Sequence, residues 1–157
     1  TAAPRINAIA RIHDALQLSQ STGEMNLGRT VEAMCSSLNE LSGLERSVKI
    51  IANVAPVITS MEVAQPVVLL INELVLNALR HAFPEERSGE VVVEVSQIGV
   101  ELRVSVTDNG IGLPPTYQDG KGYGMSLVRM LTCKLGGVLK VEAGVGSRFT
   151  LSAPLRL

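Results

Sequence analysis

A chain of 157 residues fits one domain with an appended helix or two, and at this length about 70% of the unfolded surface can be buried. Hydrophobic residues make up 46%, yet aromatics are only 3% and tryptophan is absent, so the core must be built from Leu, Val, Ile, Ala and Met. A net charge of −1 without a basic run excludes the electrostatic footprint of a nucleic-acid binder.

The two cysteines, Cys35 and Cys133, lie far apart in segments that read as helices. With no secretion signal, they are expected as reduced thiols of a cytoplasmic protein and not as a disulfide framework. No apolar run of transmembrane length stands out, so any membrane or sensory region is expected outside these residues.

In chain order, RINAIARIHDALQL over 5–18 places Ile6, Ile9, His13 and Leu16 at helical spacing. SQSTGEMN breaks that helix. LGRTVEAMCSSLNELSG then predicts a second one, with Gly43 as its stop. VKIIANV is β-branched and reads as a strand. A third, strongly apolar helix is predicted from about 63 to 83, ended by Pro84. From Glu90 the period changes to two: VVVEVSQIGVELRVSVTD reads as a hairpin with Leu102, Val104 and Val106 facing one way. The loop DNGIGLPPTYQDGKGYG leads into the helix MSLVRMLTCKLGG. VLKVEAG and SRFTLSAP close the chain as a hairpin around AGVG. The fold class expected is α+β: a two-layer sandwich of a mixed, mostly antiparallel sheet with helices on one face.

Polar residues interrupt the third helix in NELVLNALRHAF. Glu73, Asn77 and His81 step by four, and Arg80 lies three beyond Asn77, giving one narrow polar row on a helix otherwise lined by apolar side chains. Taken alone, the row reads first as the solvent face of an amphipathic helix. Its narrowness and its mixture of acid, amide and base lean toward the wall of a polar cleft. Asparagine is a poor helix former, with no stability reason to stand at two interior positions. An amide carbonyl with a carboxylate suits Mg2+, and Arg80 and His81 suit phosphate.

Asp108 ends a predicted strand, and Gly110 and Gly112 follow at once; Gly120, Gly122 and Gly124 precede a helix whose N-terminal amides would suit phosphate. Neither G-x-x-x-x-G-K-[ST] nor G-x-G-x-x-G is present, which rejects a P-loop and a dinucleotide-binding fingerprint.

An E-x-x-x-N-A helix, a strand ending D-x-G-x-G, a G-x-G opening a helix and a final hairpin together resemble the Bergerat ATP-binding fold. Gyrase, mismatch-repair ATPases, heat-shock chaperones and histidine kinases share that fold. NELVLNALRHAF, DNGIGLP, GYGMSLVRML and LGGVLKVEAGVGSRFTLSAP most resemble sensor histidine kinases of the HWE-related subgroup. RINAIARIHDAL and MNLGRTVEAMCSSL resemble the end of that subgroup's dimerisation region and its connector. The division implied is a stem over 1–45 and an ATP-binding catalytic domain over 46–157.

The resemblance implies ATP and Mg2+ as cofactors. Asn77 would hold the metal, and Asp108 would accept a hydrogen bond from the adenine amino group. Gly110 and Gly112 would admit the base, Gly122 and Gly124 would shape a lid, and Arg80 and His81 would meet phosphate. Glu73 stands where ATPase members carry a general base; in a kinase it would orient the attacking group or a water, and both roles stay open. Ser147 stands where many relatives have Thr, near the aspartate. The short loop TYQD lacks the phenylalanine box of commoner histidine kinases, which implies a small lid.

The expected activity is transfer of the γ-phosphate to a histidine outside this sequence, on the dimerisation domain of the same or a partner chain, and onward to a response regulator. His13 is expected to be a core or interface residue, and the exposed face of the first helix implies a homodimer. The alternatives are an anti-sigma-factor serine kinase, or a non-enzymatic nucleotide-binding switch or phosphotransfer scaffold.

Overall fold

The computed structural model describes residues 23–42, 47–84, 87–112 and 125–155. Alternation builds its sheet. Val91, Val93 and Val95 on β4 (Gly89–Ile98) are buried, as are Leu102, Val104 and Val106 on β5 (Glu101–Asp108) and Phe149, Leu151 and Ala153 on β7 (Ser147–Pro154). The alternate positions carry polar side chains such as Glu94, Arg103 and Arg148, and Ser105 Oγ donates to Glu94 Oε1 at 3.2 Å. One face is therefore apolar and the other wet, the signature of an antiparallel sheet covered on a single side.

β2 (Val48–Val54) and β6 (Val138–Ala143) complete five strands in the order β2-β4-β5-β7-β6. β2 pairs with β4 in parallel; every other pairing is antiparallel. Helices α1 (Leu27–Ser42), α2 (Met61–His81) and α3 (Met125–Lys134) supply the second layer. The expected α+β sandwich and its mixed sheet are both present.

β1 (Glu24–Asn26) and β3 (Ile58–Ser60) form a separate antiparallel ribbon, pairing Glu24 with Ser60 and Asn26 with Ile58. The sequence reads SQSTGEMN only as a helix break, with no strand. Strands this short hold too few residues for alternation to show, and the partner lies far along the chain.

Asn26 starts α1 as its N-cap: its Oδ1 accepts the Arg29 amide at 3.1 Å. The helix buries Leu27, Val31, Met34, Cys35 and Leu38. These side chains join one core with those of the sheet and α2. Asn39 ties α1 to the sheet edge, its Nδ2 donating to the Ile50 carbonyl at 2.7 Å and its Oδ1 accepting the Ile50 amide at 2.8 Å. The segment grouped above with the stem thus covers the β2 end of the sheet. The helix predicted over 5–18, with Ile6, Ile9, His13 and Leu16, lies outside the described residues.

α2 is the central helix, buried at thirteen of its 21 positions. Length and composition alone would let it cross a membrane, a property masked in the sequence by the polar residues that interrupt its apolar run; here it is mostly buried inside the protein. Both cysteines are free, and burial of Cys35, with Glu32 nearby, pushes its thiol pKa up to about 12.

Replacing Asn39 by Ala removes both bonds to Ile50 and leaves a half-buried backbone pair without its partner. The folded state should lose about 1–3 kcal/mol. Urea unfolding should show a lower midpoint at unchanged slope.

Candidate active site

β5 runs between β4 and β7 and ends at Asp108, whose register partners are Val91 and Ser147. The aspartate is only 7% exposed, and both carboxylate oxygens are engaged. Oδ1 accepts the Gly110 amide at 2.9 Å, and Oδ2 accepts the Ser147 hydroxyl. A buried carboxylate requires such donors, because an unpartnered one would cost several kcal/mol or take up a proton (on the order of 2–7 kcal/mol even for an uncharged amide).

The chain then turns away from the sheet onto the end of α2. The Ile111 amide donates to the Ala82 carbonyl at 2.9 Å, and a methyl group at Gly110 would overlap that same carbonyl oxygen. The missing side chain of Gly110 thus makes room for the helix end. Gly112 adopts φ +83°, in the left-handed region, and approaches the carbonyls of Gly144 and Gly146. Gly146 approaches most closely of all, since a methyl group there would overlap the Asp108 carbonyl oxygen.

Along α2 the polar row passes from core to solvent. Asn72 and Glu73 are buried at 1% and 2% exposure, Asn77 is half-buried, and Arg80 and His81 are exposed. The Asn72 side-chain oxygen has no hydrogen-bond partner among the described residues. Arg80 folds back along the helix. Its Nε donates to the Leu76 carbonyl and its guanidinium to Asn77 Oδ1, both at 3.3 Å. Partial burial of the His81 ring, and then the neighbouring Arg80 charge, hold its pKa below the ordinary 6.5.

The fold brings Glu73, Asn77, Arg80 and His81 onto the helix that meets the Asp108–Gly112 loop, with Ser147 against the aspartate. Gly122 and Gly124, with Gly120 and the TYQD loop, lie outside the described residues. Among the described residues no three His, Cys, Asp or Glu side chains cluster to hold a metal ion. The donor set present is an amide oxygen on Asn77 with the Glu73 carboxylate one turn before it. That set fits Mg2+ carried on phosphates, an ion that keeps most ligands as water and phosphate oxygens.

Residues 62–157 match the family described as histidine kinase-, DNA gyrase B-, and HSP90-like ATPase. The chain belongs to this family.

The ATPase domain's relatives are sensor histidine kinases. Sensor histidine kinase PdtaS of Mycobacterium tuberculosis is 30% identical over 139 residues, covering 86% of this chain and 28% of that protein. Blue-light-activated histidine kinase 2 of Erythrobacter litoralis is 32% identical over 133 residues, covering 82% of this chain and 38% of that protein. Among solved structures, the histidine kinase domain of an Erythrobacter litoralis blue-light activated histidine kinase superposes with a TM-score of 0.85 at 27% identity, covering 98% of this chain and 74% of that one. The chain therefore spans about a third of the length of these curated relatives, and the resemblance read from its motifs is borne out.

Two residues of the site escape the sequence pattern. Asn109 stands there only inside the loop DNGIGLP, and Gly146 only as part of the AGVG hairpin; their signal is a contact across the sheet, which neither stretch carries alone.

The lowered His81 pKa makes a prediction of defined sign. Between its folded-state pKa and 6.5 the unfolded chain binds more protons, so the fold loses stability as pH falls through that window and regains it above 6.5. Replacing Arg80 by Ala should raise the His81 pKa in an NMR titration. It should stop short of 6.5, because the larger cause, burial, remains.

Proposed function

We propose that the chain is the catalytic, ATP-binding domain of a two-component sensor histidine kinase. It would transfer the γ-phosphate of ATP to a histidine on a dimerisation domain of its own or a partner chain, for delivery to a response regulator. The observation that carries this reading is the buried Asp108, held by Gly110 and Ser147 at the end of a central strand, joined through Ile111 to the helix bearing Glu73 and Asn77.

Asp108 supplies a fixed acceptor where the adenine amino group would donate. Asn77 supplies an oxygen to Mg2+, which when bound neutralises charge developing on the phosphates. Arg80 and His81 stand at the solvent end of the row, where phosphate would arrive, and the guanidinium is suited to pair with it. Gly122 and Gly124 would shape the lid. Glu73, buried one turn from Asn77, would orient the attacking group or a water. Phosphoryl transfer is mostly positioning and charge neutralisation, so this set suffices on the nucleotide side.

The division read from the sequence, a stem over 1–45 of a homodimer and a catalytic domain over 46–157, is kept as part of this proposal, with α1 packed on the catalytic sheet and sharing its core. Free thiols at Cys35 and Cys133 and the use of ATP support a cytoplasmic setting.

The decisive experiment incubates the ATPase domain with a histidine-bearing dimerisation domain, Mg2+ and labelled ATP, then treats the product with acid. Label on histidine is released. Acid-stable label would mark a serine kinase instead, and the absence of nucleotide binding would mark neither. Two variants separate the roles by calorimetry, each with an unchanged far-UV spectrum. Asn77→Ala should abolish the gain in ATP affinity brought by Mg2+. Asp108→Asn should weaken ATP about tenfold or more with or without the metal, the usual cost of losing a hydrogen bond to a charged group.

A further inference from the structure

The backbone ladder between β4 and β5 ends in an exchange of partners. Asp108 pairs with Val91, so the next pair outward is Asn109 with Glu90. In an antiparallel sheet such a pair would exchange two backbone bonds. One of them is made: the Asn109 amide donates to the Glu90 carbonyl at 3.3 Å. The reciprocal donor, the Glu90 amide, instead meets the side-chain oxygen of Asn109, at 2.7 Å. A side-chain carbonyl has replaced a backbone carbonyl, as asparagine is suited to do. The main chain is thereby freed to leave the sheet directly after Asp108 and run to Ala82.

The surroundings are built to receive this substitution. Gly89 opens β4; a methyl group there would lie 2.6 Å from Asn109 Oδ1 and would overlap the ring of the fully buried Phe83. Phe83 follows directly on Ala82, the residue whose carbonyl holds Ile111. Asn109 itself is exposed, so its place in the molecule owes little to burial.

We propose that Asn109 is a positioning residue that sets base specificity: by closing the ladder with its side chain it fixes where the strand ends, and so the direction in which Asp108 presents its carboxylate. This inference rests on the reading of Asp108 as the group that meets the adenine amino group.

The test compares affinities for ATP and inosine triphosphate, which lacks that amino group, in the wild-type chain and in Asn109→Ala, Asn109→Leu and Asn109→Asp. The wild type should prefer ATP. In Asn109→Ala and Asn109→Leu the affinity for ATP should fall about fivefold or more, the scale of one lost hydrogen bond at the base, with inosine triphosphate little changed. Asn109→Asp keeps the acceptor and should restore the preference. Exchange of the Glu90 amide proton, followed on the folded protein, should speed up in the Ala and Leu variants alone. An unchanged ATP preference in Asn109→Ala overturns the proposal, as does an equal loss of both nucleotides without rescue by Asp. A wild type that does not distinguish the two nucleotides overturns the reading of Asp108 itself, and this inference with it.

Discussion

The burial of α2 against the sheet is the constraint on which the rest of the molecule depends. A helix enclosed at thirteen of 21 positions tolerates polar side chains only where they find partners or a way out. The row Glu73, Asn77, Arg80 and His81 leaves the core by degrees toward the C-terminal end, from Glu73 inside to His81 outside. That end carries the negative pole of the helix dipole, which favours Arg80 in the last turn. It also exposes carbonyl oxygens without intrahelical donors, and the Ile111 amide satisfies one of them at Ala82. The loop after β5 is thus a cap for α2. Gly110 has no side chain because the capped carbonyl occupies the space one would need.

A second dependence follows from the sheet. β5 is flanked on both sides, so the end of the strand is placed by β4 and β7 together. Register sets Ser147 directly beside Asp108, and the close approach of Gly146 to the Asp108 carbonyl brings the β6–β7 turn over the same point. One carboxylate is therefore held from three directions: its own loop, the neighbouring strand and, through Asn109, the start of β4. Its orientation is a property of the sheet as a whole.

Much of this was legible in the residues. Period-two alternation located the first hairpin and the turn AGVG the second, and the order of the E-x-x-x-N, D-x-G-x-G and G-x-G stretches carried the family. What stayed hidden has a common physical character. The β1–β3 ribbon, the place of α1 and the roles of Asn109 and Gly146 are all defined by a partner distant in sequence. The amphipathic face of α1 announces that it will be buried without saying against what; the partner is the β2 edge, which Asn39 reaches through Ile50. Similarly, spacing along α2 gives one polar row. Only packing separates Glu73, inside, from His81, outside.

Under the proposed function the two ends of the site differ in stiffness for a chemical reason. The side that would meet the base is tied by bonds of 2.7–3.3 Å at Asn109, Gly110 and Ile111 into a strand end and a helix end. Preorganised groups bind without a further ordering cost, which suits recognition of a rigid, planar ring. Arg80 is held otherwise, by two bonds of 3.3 Å at the outer edge of useful hydrogen-bond geometry, one of them to Asn77 itself. A guanidinium so weakly tied gives up those bonds at little cost when a charge-assisted bond to phosphate is offered. Its departure also frees an Asn77 lone pair for a metal. Phosphates change number and charge through a transfer reaction while the base does not, so a rigid base site beside an adaptable phosphate site is the arrangement that chemistry favours.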